Sequence, residues 1–113
     1  MLIVATELHV KSFWNFFAFV KHSVRSMKQA ERSPGVISAK AGNKGWRIGY
    51  TLTVWENKEA MQSFRNTGAH KIAMTKIRKL SSKYKTLVWE ADAVPDFKEA
   101  KERLGGMEYT VLT

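Results

Sequence analysis

Between Trp46 and Val54 every second residue is large and apolar, namely Trp46, Ile48, Tyr50, Leu52 and Val54, and from Asn57 the apolar spacing changes to three or four residues. A period of two lines one face of a strand and a period of three to four lines one face of a helix, so a strand passes here almost directly into a helix. The two are expected to meet over a shared apolar layer. The following helix carries Ala60, Met61 and Phe64 inward behind an Asn57 cap, a bend at Thr67-Gly68, and His70 beyond the bend.

The flanking sequence completes a pattern. Leu2 to Val10 is rich in apolar and β-branched residues and predicts a first strand. Ser12 can cap a long helix whose Phe13, Phe16, Phe17, Val20, Val24 and Met27 share one broad face, which predicts that face as the buried one. Ser33-Pro34-Gly35 stops it, because proline lacks an amide hydrogen and glycine accepts a left-handed turn. A second strand, Val36 to Ala41, is joined to the Trp46–Trp55 strand through a hairpin at Gly42-Asn43-Lys44-Gly45. After the bend, Ile72, Ala73, Ile77, Leu80 and Tyr84 share a helix face, and Thr86 to Ala93 reads as a further strand.

The order strand, helix, strand, strand, helix, strand predicts an α+β fold, a ferredoxin-like βαββαβ sandwich with one antiparallel sheet and helices on one face. The chain fits a single domain over residues 1–113, with a short helix opened by Asp96 and Glu99 and an edge strand at Met107–Leu112 in the closing segment 94–113. With no third layer foreseen, a second copy is the simplest cover for the other sheet face, so a homodimer is expected.

Composition narrows the chemistry. There is no cysteine, which excludes disulfides, thiolate metal sites and cysteine nucleophiles. The apolar opening, Met1 to Ala5, is too short for a membrane span and lacks a basic start, so a cytoplasmic protein is expected. The net charge of +9 favours anionic ligands or surfaces, and no acidic residue lies between Glu59 and Glu90. The basic run Lys71 to Lys85 lacks an accompanying nucleic-acid-binding motif and reads as a solvated helix face. A Gly-rich phosphate loop, histidines at metal spacing and a GxSxG elbow are all missing, which disfavours nicotinamide, zinc and serine-hydrolase chemistry.

Four motifs, Ser33-Pro34-Gly35-Val36, Thr53-Val54-Trp55-Glu56, Glu59-Ala60-Met61 with Phe64, and Thr67-Gly68-Ala69-His70 with Ile77-Arg78, resemble the dimeric α/β-barrel superfamily of antibiotic-biosynthesis-monooxygenase-like proteins. Within it they resemble the spheroidene-monooxygenase-like branch, and the match runs from Leu2 to Ala93. The resemblance implies a homodimeric barrel and an oxygenase of an apolar or aromatic small molecule. That branch uses haem, other members oxidise aromatic polyketides with no cofactor, and others degrade haem. Haem degraders carry tryptophan and histidine where this chain has Phe64 and Met74, which argues against that activity.

His70 is the leading candidate for catalysis. A helix bearing His70, Ala73 and Ile77 puts the imidazole beside the apolar stripe, where it could shuttle a proton or, with haem bound, ligate the iron. The plainer alternative is a boundary histidine bonded to a neighbouring strand. Phe64, Trp14, Trp46 and Tyr50 are expected to contact a flat ligand, although Trp46 and Tyr50 share a strand face that Trp55 does not. Arg47 could bind a carboxylate or propionate, or simply remain solvated. His22 is expected in solvent, and His9 only marks the end of the first strand. A non-catalytic small-molecule binder on the same scaffold is the alternative reading, with nucleic-acid binding behind both.

Overall fold

The computed structural model describes residues 1–66 and 68–111, and within that span the backbone alone at Ala69, His70, Ala73 and Ile77. The elements are β1 (Leu2–Val10), α1 (Phe13–Glu31), β2 (Val36–Lys44), β3 (Ile48–Trp55), α2 (Lys58–Arg65), α3 (Gly68–Leu80), β4 (Ser81–Glu90), α4 (Phe97–Gly105) and β5 (Thr110–Val111). All strand pairs are antiparallel, and the sheet order is β2-β3-β1-β4-β5. This is the expected ferredoxin-like βαββαβ unit, with β1 at its centre and α1, α2 and α3 on one face.

Side-chain caps open three of the helices. Ser12 accepts from the Asn15 amide, Asn57 from the Ala60 amide at 2.9 Å, and Asp96 from the Glu99 amide at 2.8 Å, each satisfying an amide that lacks a partner within its helix. At Gly35 a positive φ of 82° coincides with a close approach, because a Cβ there would lie 2.5 Å from the Cβ of Ala60. Glycine alone fits that corner.

Two boundaries differ from expectation. β2 continues to Lys44, with Gly42 opposite Tyr50 and Asn43 opposite Gly49, so the turn is Gly45-Trp46-Arg47 and not Gly42–Gly45. Lys44 pairing with Ile48 leaves three residues to close the hairpin, Gly45 supplies the positive φ of 60°, and the Asn43 amide donates to its carbonyl at 2.6 Å. Trp46 and Arg47 thereby leave the strand. Likewise α3 ends at Leu80, and Tyr84 sits in β4 opposite Leu8, because residues from Ser81 onward join the β1 ladder. Gly68, with φ of 60°, stands at the joint between α2 and α3, while Thr67 lies outside the described residues. At the C-terminal edge strand, Leu112 is outside them too.

The larger differences concern which faces are buried. β3 turns Tyr50, Leu52 and Val54 away from α1–α3, and together with Ile3 and Ala5 they pack against Ala100 and Leu104 of α4. The chain's own α4 therefore covers the sheet face for which a second copy was expected, since its Ala100 and Leu104 present an apolar stripe four residues apart. On α1 the buried residues are Phe19, Ser23, Ser26, Met27 and Ala30, whereas Phe13, Phe17, Val20 and Val24 are exposed. The helix is rotated from its apolar stripe by two fittings: the Phe19 ring occupies the space above Gly49 that any side chain there would fill, and Ala30 packs beside Trp55.

Candidate functional site

The two rotated elements explain why the helix layer is hollow. β3 presents Thr51 and Thr53 to the helices, β1 presents Thr6 and β4 presents Thr86, while α1 answers with Ser23 and Ser26. These six short hydroxyl side chains cannot fill the space between a helix and a sheet. A cleft of about 380 Å³ results, lined further by Val4, Leu8, Tyr84 and Val88 from the sheet and by Met27, Met61, Phe64 and Met74 from the helices. In the wall the Trp55 and Phe64 rings stack on one another with centroids 4.9 Å apart and planes 30° apart.

Polar groups in this wall are incompletely used. The Thr6 and Thr86 hydroxyls lie 3.2 Å apart. The Ser23 hydroxyl and the Trp55 indole N–H are buried and have no hydrogen-bond partner among the described residues. A buried polar group without a partner costs stability, so these two mark a layer that is not packed for stability alone. Arg65 and Arg78 complete the wall and also line an adjoining polar recess of about 210 Å³ with Asn66, Lys71, Met74 and Thr75. The Arg65 guanidinium contacts the Met61 sulfur at 3.5 Å, and among the described residues neither arginine pairs with a carboxylate. Two guanidiniums at the junction between an apolar and a polar space can hold an anionic group.

Of the residues anticipated for ligand contact, this cavity includes Phe64 and leaves out the rest. Tyr50 is on the opposite sheet face, under the Lys101 ammonium at 4.7 Å, because strand side chains alternate and its neighbours Thr51 and Thr53 take the cavity side. Trp46 and Arg47 occupy the hairpin turn, with the guanidinium 5.2 Å from the indole ring. Trp14 is 78% exposed on the outer side of α1, since the rotation that buries Phe19 turns it outward. His70 is the third residue of α3, the helix that contributes Met74 and Arg78, and its side chain, like those of Ala73 and Ile77, lies outside the described residues. His22 is half-buried, and burial followed by the charges of Lys21, Arg25 and Lys76 pushes its imidazole below the ordinary value.

A second polar cluster occupies the α4 side of the sheet. Glu7 is 7% exposed and accepts hydrogen bonds from the Tyr109 hydroxyl and from His9 at 3.2 Å, with the Lys85 ammonium at 3.7 Å. Burial alone would raise its carboxyl, but Tyr109, His9, Lys85 and Tyr50 together outweigh burial and hold it below the usual carboxylate range. The bond to Glu7 in turn pushes the Tyr109 hydroxyl up to about 12, with burial and the carboxylate charge adding to the shift. The Lys83 and Lys85 ammoniums lie 4.1 and 4.3 Å from the centre of the Tyr109 ring. This arrangement is a clasp that fixes the chain after α4 to β1 and β4. Its trace in the sequence is the alternation Ile3, Ala5, Glu7, His9, which puts two polar groups at the end of an apolar strand face.

Comparison with known proteins adds a family and a fold. A family model described as "Domain of unknown function (DUF3291)" matches residues 13–110. No curated protein matches the sequence significantly. Among solved structures, a candidate antibiotic biosynthesis monooxygenase from Nitrosomonas europaea superposes with a TM-score of 0.76 at 11% identity, covering 82% of this chain and 100% of that one. A corresponding candidate from Deinococcus radiodurans gives 0.73 at 14% identity over 85% and 97% of the two chains. SnoaB, a cofactor-independent oxygenase from Streptomyces nogalater, gives 0.65 at 15% identity over 84% and 97%. At such identities the likeness is one of fold.

Proposed function

This chain belongs to the DUF3291 family on the scaffold of the dimeric α/β-barrel monooxygenase superfamily, and from that premise we propose that it is a monooxygenase-like oxidoreductase of an apolar or aromatic small molecule with an acidic oxygen. The observation that carries this reading is the cavity itself: an aromatic wall of Trp55 and Phe64, a belt of hydroxyls, and Arg65 and Arg78 where the cavity meets the polar recess. A phenol or enol placed with its ring on that wall would lose its proton more readily beside two guanidiniums. The resulting electron-rich anion is the form that reacts with dioxygen: one oxygen atom enters the substrate as a new carbonyl, and the other leaves as water with two hydrogens of the substrate. His70, one helical turn before Met74 and two before Arg78 on α3, is our proposed proton acceptor. Self-association into a homodimer is part of the same proposal, supported by the scaffold.

Haem is left out of this proposal. The cavity's volume of about 380 Å³ lies near the lower end of the range for small-molecule sites, about 300–1,000 Å³, and suits a ligand of a few fused rings. The side chain of His70, the residue offered above as an iron ligand, lies outside the described residues, so no step is assigned to haem. Mixing the protein with haem should leave the absorbance of the haem unchanged. A spectral shift that His70→Ala abolishes would reverse this conclusion.

Oxygen uptake over a panel of phenols, quinols and polyenes tests the reaction. Turnover of an acidic aromatic that is lost in Arg65→Gln/Arg78→Gln supports the reading, and uptake confined to neutral polyenes would overturn the role given to the arginines. A second reading is a binder without catalysis on the same scaffold, with Arg65 and Arg78 holding an anionic ligand. Tight binding of the same aromatics with no oxygen uptake would establish it.

A further inference from the structure

The outer face of α1 carries the residues that its sequence pattern would place in a core. Phe13, Trp14 and Phe17 are 46%, 78% and 56% exposed, and Val20 and Val24 continue the stripe along the helix. Phe13 makes edge contacts with Trp14, Phe17 and the hairpin residue Trp46 at centroid distances of 5.4 to 6.0 Å, so the aromatic rings form one contiguous patch. Contiguous apolar patches of this kind mark interaction sites. No described element of this chain covers it.

The charges around the patch identify the occupant. From residue 8 to residue 30 there is no acidic side chain, while Lys11, Lys21, Arg25 and Lys28 are all exposed. Lys44 and Arg47 add two more exposed cations at the hairpin beside Trp46. A second copy docked here about a two-fold axis would set this positive field against itself, because such an interface pairs a surface with the same surface. An anionic plane suits it better. Phenylalanine and tryptophan seat at the boundary between lipid headgroups and acyl chains, and each flanking lysine or arginine gains from negative headgroups. No described helix is long and apolar enough to cross a membrane, so α1 would lie along the surface.

We propose that α1 docks the protein on anionic lipid surfaces, with Phe13, Trp14 and Phe17 inserted at the headgroup boundary and Lys21, Arg25 and Lys28 over the headgroups. The inference does not depend on the cavity's chemistry, although an apolar substrate partitions into lipid and would be met there.

The test is sedimentation of the full chain with vesicles, either pure phosphatidylcholine or phosphatidylcholine with phosphatidylglycerol, at low and high salt. The protein should pellet with the anionic vesicles at low salt and bind neutral vesicles at least roughly ten-fold more weakly. Trp14→Ser/Phe17→Ser should abolish pelleting while keeping the wild-type circular dichroism spectrum, because both side chains project from the surface. Lys21→Ala/Arg25→Ala/Lys28→Ala should weaken it by at least the same roughly ten-fold factor. Equal binding to neutral vesicles, or full binding by the Trp14/Phe17 variant, would overturn the proposal. So would failure to pellet combined with a change from dimer to monomer in that variant, which would identify a second copy as the occupant.

Discussion

Replacing Glu7 with glutamine removes one charge from the clasp and little else. The change keeps the side chain's size and one acceptor oxygen, so the Tyr109 hydroxyl still has a partner. What it leaves behind is the Lys85 ammonium, only 5% exposed and without its carboxylate. Breaking a buried ion pair from one side costs about 3–5 kcal/mol. The ammonium's contact with the Tyr109 ring at 4.3 Å is present before and after the change and so offsets none of it. Glu7→Gln should therefore destabilise the fold by about 3–5 kcal/mol, or lower the melting temperature by roughly 15 °C for a domain of this size. Urea denaturation followed by circular dichroism measures it, and a double-mutant cycle with Lys85→Met isolates the pair. The pH dependence is fixed by sign. The Glu7 carboxyl titrates lower in the folded state than its unfolded value of 4.5, so its contribution is complete above that value and disappears as pH falls through the lower folded one. Tyr109 titrates higher when folded, about 12 against 10, so its contribution is complete below pH 10 and is lost as pH rises through about 12. Wild type and variant should converge in acid, and the gap should narrow as pH rises through about 12. A variant within about 0.5 kcal/mol of wild type at pH 7, small enough for an ordinary surface change, or a gap that persists unchanged into acid, would refute the clasp.

Two further substitutions probe the packing that sets the site. Gly49→Ala places a methyl group where the Phe19 ring lies, and should destabilise by about 1–3 kcal/mol in thermal unfolding while altering ligand affinity, because α1 must shift over the cavity. Leu104→Ala removes the 1%-exposed anchor of α4 and should cost about 2–5 kcal/mol; a negligible change in denaturation midpoint would mean that α4 does not cover that sheet face in solution.

The sequence was most legible where periodicity met a defined stop. The Asn57 cap, the Ser33-Pro34-Gly35 corner, the Asp96 cap and the strand stripe from Ile48 to Val54 all appear as read, because each depends on neighbours along the chain. The direction in which a stripe points depends on distant partners and was not legible. Leu52 and Val54 face α4, some fifty residues further on, and Phe19 faces Gly49 because only glycine leaves room for the ring. The same limit explains the site. Phe64 follows from local helix phase, whereas the Thr51, Thr53, Ser23 and Ser26 belt looks like an ordinary polar face until the elements are docked.

Those reversals have one physical source. Besides smaller clusters around Trp55 and Phe19 on the helix side, this chain of 113 residues builds its largest buried cluster on the α4 side, where Ile3, Leu52, Val54 and Leu104 are essentially buried. Stability supplied there frees the opposite sheet face from having to pack tightly, so threonines and serines can hold a cavity open. It also frees α1 from turning its apolar stripe inward, since Phe19, Met27 and Ala30 suffice to seat it. Hollow site and outward aromatic patch are thus two consequences of placing the largest cluster across the sheet. If Leu104→Ala left stability intact, the core would lie elsewhere and neither feature would have this explanation.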